Sequence, residues 1–183
     1  MARIFIGSSS RMIPLVDEIA RCLCSHGHEP LPWRQIFQHG DITIDRLFAQ
    51  AREVDGAILV FSEDDRIEHR GNTRYQPGGN ILIEFGLFLG CLGRRRAIIC
   101  NHGDNRMPSD LAGLTYLDVG SQTDSIRPEA WDRIGLWAKD LTGITGPFGE
   151  DGITQVFQSF PVSDFCQALQ RARRLHILQT FIP

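Results

Sequence analysis

Short apolar runs and helical apolar stripes alternate along this chain. Residues 3–7, RIFIG, are a compact apolar run that stops at a glycine and three serines, the pattern of a buried strand feeding a loop. Over 11–26 the apolar residues Met12, Leu15, Val16, Ile19, Ala20 and Leu23 recur at helical spacing, and Gly27 ends the run. EPLPW at 29–33 reads as extended, and its two prolines suit a sheet edge. A second helix is predicted over 43–54, with Ile44, Leu47, Phe48 and Ala51 on one face. GAILVF at 56–61 is apolar throughout, as in a central parallel strand buried on both faces.

The polar, glycine-rich stretch from Ser62 to Asn80 then reads as one long loop, and a loop of that length in a compact domain is commonly functional. After it come a helix from Asn80 to about Leu92, a strand at 95–100, a short turn with a weak strand near Leu114–Leu117, and an amphipathic helix over 128–141 opened by Pro128. Residues 142–162 are glycine-rich and irregular, and Ser163-Asp164 cap a last helix to about Ile177. Strand and helix alternate at least four times, which predicts an α/β fold with a parallel sheet covered by helices on both faces. In such sheets ligands bind beyond the carboxyl ends of the strands, so loops 7–11, 33–43, 61–80 and 100–110 are where chemistry is expected. The expected division is a main domain over 1–162 and a C-terminal helix or tail over 163–183.

Composition narrows the function classes. Of 183 residues, 42% are hydrophobic and 22% charged, an ordinary globular balance. A net charge of −3 offers no electrostatic reason for nucleic acid or an anionic membrane as partner, and the local clusters Arg94–Arg96 and Arg171–Arg174 read as solvated faces. Cys22, Cys24, Cys91, Cys100 and Cys166 are odd in number and contain no CxxC pair, which argues against a disulfide framework or a zinc site and for a reducing cytoplasm. His26, His28, His39, His69, His102 and His176 show no metal-ligand spacing. No metal and no membrane span are expected.

Four segments could carry chemistry. Gly7-Ser8-Ser9-Ser10 follows the first strand and precedes a helix, where backbone N–H groups and hydroxyls can hold a phosphate; the lysine of a P-loop is absent, and the same residues also suit an ordinary capped turn. In NILIEFGLFLG, Glu84 stands alone in an apolar helical run. A buried, unpaired carboxylate costs several kcal/mol, so Glu84 has either a role or a structural partner such as Arg74 or Arg94. Glu63-Asp64-Asp65 could bind ribose hydroxyls or simply form a solvated loop tip. Trp33 and Phe37 could stack on a planar ring or pack in the core.

In order, RIFIGSSS, PLPWRQIF, DGAILVFSEDD, NILIEFGLFLGCLGRRRAII and PSDLAGL resemble the nucleotide-binding TIR-like family, over roughly residues 3–120. Its members include effectors of bacterial anti-phage systems of CBASS and Pycsar type, some fused to STING-type sensors. The resemblance implies a flavodoxin-like TIR fold of about five strands and a cytoplasmic NAD glycohydrolase activity switched on by self-assembly into an oligomer or filament. NAD would be substrate rather than cofactor, and a cyclic-nucleotide sensor would lie outside this chain. Glu84 would be the catalytic glutamate, with Gly7, Ser8 and Ser9 in the cleft below it and Trp33, Phe37, Asp65 and Asn80 near the substrate. Two departures stand out: Gly78-Gly79 replace an Arg-Asp pair that members often carry, and Asn80 stands where many TIR NADases of other branches place a tryptophan. A deoxyribosyltransferase-like enzyme and a non-enzymatic TIR assembly module are the rival expectations.

Overall fold

The computed structural model describes residues 1–36, 43–69, 72–105, 107–111, 113–114 and 116–141. The chain divides into two units at Pro147/Phe148, and every described residue lies in the first. The expected boundary at 162/163 and the expected helix over 163–177 lie outside the described residues, as does Phe37.

Five parallel strands form the sheet: β1 (Arg3–Gly7), β2 (Glu29–Pro32), β3 (Gly56–Phe61), β6 (Ala97–His102) and β7 (Tyr116–Gly120). Their order is β2-β1-β3-β6-β7. Counting the sheet strands alone, this is the 2-1-3-4-5 order of flavodoxin-like folds. β2, with its two prolines, does lie at an edge, where a missing N–H costs no ladder bond. β3 lies between β1 and β6 and is buried at all six positions.

Alternation along the strands sorts the side chains into two cores. Ile4, Ile6, Ile58, Val60 and Cys100 face Leu15, Val16, Ile19 and Leu23 of α1 (Ile13–Ser25) and Ile134 and Ala138 of α5 (Pro128–Leu141). Phe5, Ala57, Leu59, Phe61 and Ile99 face Leu47 and Ala51 of α3 (Thr43–Glu53) and Ile81, Phe85, Phe88 and Leu92 of α4 (Gly79–Leu92).

Three expectations change. The stretch after β3 is not an open loop: β4 (Asp65–His69) and β5 (Asn72–Gln76) pair antiparallel as a separate hairpin. Its strands are polar on both sides, so hydrophobic alternation gave no sign of them. Trp33 does not continue the extended segment but opens the single-turn helix α2 (Trp33–Ile36). On α3 only part of the apolar stripe reaches the core, and Ile44 and Phe48 are exposed.

Candidate functional site

The site lies where β1 ends and α4 crosses the sheet. On α4, positions 81, 84, 85, 88 and 92 share one face by helical spacing, and Ile81, Phe85, Phe88 and Leu92 from that set are buried against the sheet. Glu84 therefore points the same way as four core residues. Two aromatic contacts fix the helix there: Phe88 stacks on Phe5 of β1 at 4.4 Å, and Phe85 meets Phe61 of β3 edge-on at 5.6 Å.

The carboxylate meets the chain at Gly7, the last residue of β1. A Cβ placed on Gly7 would lie 3.0 Å from Glu84 Oε2, 2.9 Å from the Phe5 ring and 2.6 Å from Leu59 Cδ1. Any side chain at this position would force Leu59, Phe5 or the Glu84 carboxylate to shift, so glycine leaves the carboxylate its room. Glu84 Oε2 is buried and has no hydrogen-bond partner. Burial alone, with no neighbouring charge contributing, pushes the Glu84 carboxyl up from its ordinary 4.5 to about 7. Among the described residues no ion pair joins Glu84 to Arg74 or Arg94, so the structural alternative is not seen.

Glu84 opens onto a cleft of about 680 Å³ lined by Ser8, Ser9, Ser10, Trp33, Asp64, Asp65, Gly78, Gly79, Asn80 and Ile81. This is at the carboxyl ends of β1 and β3, as a doubly wound sheet requires. Of the residues expected in the site, Ser8, Ser9, Trp33, Asp65, Asn80 and Glu84 line this one cleft, and Gly7 underlies Glu84. The half-buried Trp33 donates its indole N–H to Ser8 Oγ at 3.2 Å, and Ser8 Oγ donates to the Ser9 carbonyl at 2.9 Å. The cleft wall is therefore tied together across β1 and α2.

The acidic triplet after β3 is split three ways. Glu63 turns away and accepts the Asp104 N–H at 2.9 Å. Asp64 accepts from Ser62 Oγ at 2.9 Å and from the Gly78 N–H at 3.4 Å, which places its carboxylate at the start of α4. Asp65 begins the hairpin and faces the cleft. The sequence offered Glu63-Asp64-Asp65 and Gly7-Ser8-Ser9-Ser10 as whole segments, and the family resemblance singled out Asp65; the structure adds Asp64, Ser10, Gly78 and Gly79 to the cleft lining. Only the hairpin geometry determines which of three adjacent acids turns inward.

Among the described residues no group of three or more His, Cys, Asp and Glu side chains is placed to hold a metal ion, and no helix is long and apolar enough to cross a membrane. A second cavity of about 450 Å³ lies at the other end of β6, between Arg95, Leu114, Arg133 and Trp137. It holds no desolvated acid comparable to Glu84.

With this geometry in view, comparison with known proteins is specific. The family model described as "CAP12/Pycsar effector protein, TIR domain" matches residues 3–121. CD-NTase-associated protein 12 of Sphingobacterium faecium is 37% identical over 113 residues, covering 62% of this chain and 35% of that protein. Pycsar effector protein XpPycTIR of Xanthomonas perforans is 37% identical over 121 residues, covering 63% of this chain and 39% of that protein. Pycsar effector protein PaPycTIR of Pseudomonas aeruginosa is 33% identical over 119 residues, with coverages of 63% and 39%. The matched stretch thus amounts to little more than a third of each relative's length. A solved flavodoxin-like domain from Synechococcus sp. has a TM-score of 0.41 and 15% identity, covering 76% of this chain and 96% of that chain.

Proposed function

This chain belongs to the CAP12/Pycsar effector TIR-domain family, and from that premise we propose that it is an NAD glycohydrolase that cleaves the nicotinamide–ribose bond, with Glu84 as its catalytic carboxylate. The observation that carries this reading is the state of Glu84: a carboxylate with one oxygen buried and unpartnered, over a glycine that leaves it room, at the wall of a cleft of nucleotide size. Such desolvation destabilises the fold and persists where it serves a reaction.

The chemistry suits a single acid. Nicotinamide is a cation while bonded to ribose and leaves as a neutral molecule, so its departure needs no proton. As the C1′–N bond breaks, its electron pair returns to the ring nitrogen and positive charge moves onto the ribose, as in glycoside hydrolysis. A carboxylate in a poorly hydrated wall stabilises that charge more than it could in water. Water then adds to C1′, giving ADP-ribose, nicotinamide and one proton; attack by the adenine would give a cyclic product instead. Trp33 would flank a planar ring, and the Ser8–Ser10 turn would form the rim along which the diphosphate leaves the cleft.

As an effector of a bacterial anti-phage system, the enzyme would be gated by self-association and by a cyclic-nucleotide sensor outside the residues described. Nicotinamide release from NAD, measured across protein concentration, tests both claims. A rise steeper than linear supports gating by assembly. Glu84→Gln protein that is folded yet consumes NAD like the wild type ends the assignment of Glu84.

A further inference from the structure

The start of α4 is held from outside the helix. Its cap residue, Gly78, makes no side-chain capping bond, and its first turn contains no acid. A carboxylate is favourable at that end, where the free N–H groups carry partial positive charge. Asp64, between β3 and the hairpin, supplies it. Its Oδ2 accepts the Gly78 N–H at 3.4 Å and the Ser62 Oγ–H at 2.9 Å. Its own backbone N–H donates to the Gln76 carbonyl at 3.2 Å, across the base of the hairpin. The contact with Gly78 is the returning half of a capping box, in which an acid accepts the cap residue's own N–H, but here the acid comes from 14 residues upstream rather than from the helix.

Ser62 carries the tie to the opposite wall of the cleft. It directly follows β3 and is 1% exposed, so its hydroxyl has to be bonded within the protein. Its hydrogen goes to Asp64, which makes Ser9 Oγ the donor in the 3.5 Å contact between Ser9 and Ser62. The Ser9 carbonyl accepts from Ser8 Oγ, which receives the Trp33 N–H. A chain of hydrogen bonds thus runs through Trp33, Ser8, Ser9, Ser62, Asp64 and Gly78. Glu84 is confined between the two walls that this chain joins: Gly7 directly precedes Ser8, and Glu84 stands in the second turn of α4.

We propose that Ser62 and Asp64 are positioning residues, which pin the first turn of α4 to the turn after β1 and so hold the Glu84 carboxylate over Gly7. This rests on the reading of Glu84 as the reacting carboxylate and adds what keeps it in place. A buried carboxylate without a partner is drawn toward water. The ring contacts of Phe85 and Phe88 restrain α4 after Glu84, and the bond from Gly78 to Asp64 restrains it before. Both contacts of Asp64 fall on one oxygen, so an amide oxygen in the same position can take them over.

The test compares Asp64→Ala, Ser62→Ala and Asp64→Asn with the wild type, each checked for folding by circular dichroism. The alanine variants are expected to lose kcat for NAD by up to about 10²-fold, the cost of displacing a reacting group by about 1 Å, with KM nearly unchanged. Asp64→Asn should retain most of the wild-type kcat. The double Ser62→Ala/Asp64→Ala protein should lose no more than Asp64→Ala, because both changes break one link. Carbon NMR of the Glu84 carboxyl gives a reading independent of turnover. Held in the wall it titrates at about 7, and in the alanine variants, where water reaches it, the titration should move down toward 4.5. Asp64→Asn as damaged as Asp64→Ala, or a raised KM in both, would mean that Asp64 acts on the substrate by its charge, and the positioning role would be wrong. Alanine variants with wild-type kcat and wild-type titration would overturn it equally. Should Asp64→Ala not fold, Ser62→Ala decides by the same two readings. If the wild type cleaves no NAD, the glycohydrolase reading falls and the titration still decides this one: a Glu84 that titrates alike in every protein ends it, and one that shifts only in the alanine variants sustains it.

Discussion

Glu18 on α1 and Glu84 on α4 occupy similar places on opposite faces of the same sheet. Both lie on helices that press an apolar stripe against the strands. Glu18 Oε2, like Glu84 Oε2, is buried without a hydrogen-bond partner, but it lies in an ion pair with Arg21, one helical turn on. Glu84 has no such partner, and its Oε2 is buried without a hydrogen bond. The helices differ to match. α1 has acidic and basic residues among its apolar ones, Asp17, Glu18 and Arg21, whereas α4 contains no basic residue and no acid but Glu84. One helix neutralises its buried acid locally and the other leaves it exposed in energy though not in space. That difference is what the proposed reactive role of Glu84 rests on.

The sharpest way to break the comparison is to neutralise each acid. Glu84→Gln should reduce NAD cleavage by about 10³-fold, the size seen when a single electrostatic contact to a transition state is removed. Glu18→Gln should leave cleavage within about twofold. Equal losses from both would remove the distinction, and purified proteins assayed for nicotinamide release would reveal it.

Next in size is a dependence on pH. Folding holds a proton on Glu84 that the unfolded chain releases, because the carboxyl is raised from 4.5 to about 7. Where the native state binds more protons, stability falls as pH rises. Its share is fully present below pH 4.5 and is lost through about pH 7. Over that range the wild type should lose at most about 3 kcal/mol relative to Glu84→Gln, from about 1.4 kcal/mol per unit. Denaturant titrations of the two proteins at pH 5 and pH 8 check it, and parallel curves would refute the raised carboxyl. In the same window kcat/KM should climb as pH approaches 7, when the carboxylate forms in the free enzyme.

Gly7→Ala tests the room left for the carboxylate. The new methyl would crowd Glu84, Phe5 and Leu59 together. Overpacking of this kind costs about 1–3 kcal/mol, and activity should drop with it as Glu84 shifts. A Gly7→Ala protein as stable and active as the wild type would mean that the two residues do not confine each other. The smallest effect is expected from Glu18→Gln on stability, within about 1 kcal/mol, since an acid paired with the well-exposed Arg21 contributes little.

Much of the fold could be read from the residues. β1, β3, α1, α4 and α5 match their apolar patterns to within two or three residues, because each presents a stripe or run that must be buried. The hairpin of β4 and β5 escaped because its residues, such as Arg66, Glu68 and Arg74, carry no apolar period, and its order comes from cross-strand backbone bonds. Ile44 and Phe48 were grouped with Leu47 and Ala51, but the sheet beneath α3 covers only the latter pair. In the site, Glu84 was visible as a charge out of place in an apolar run. Asp64 was visible only as one of the triplet Glu63-Asp64-Asp65, since three acids in succession look alike until the chain turns between them.

Taken by itself, the sequence settled the succession of strands and helices apart from α2, β4 and β5, the family, and the identity of the anomalous carboxylate. The elements follow from local periodicity, the family from the resemblance of its ordered motifs, and the carboxylate from a charge whose burial has to be explained. Only the tertiary structure decided that Glu84 lacks a neutralising partner, that Gly7 makes space for it, and that its cleft is walled by acids without a described cation. Those properties arise between residues far apart in the chain, where packing sets the distances, hydration and charge that each group feels.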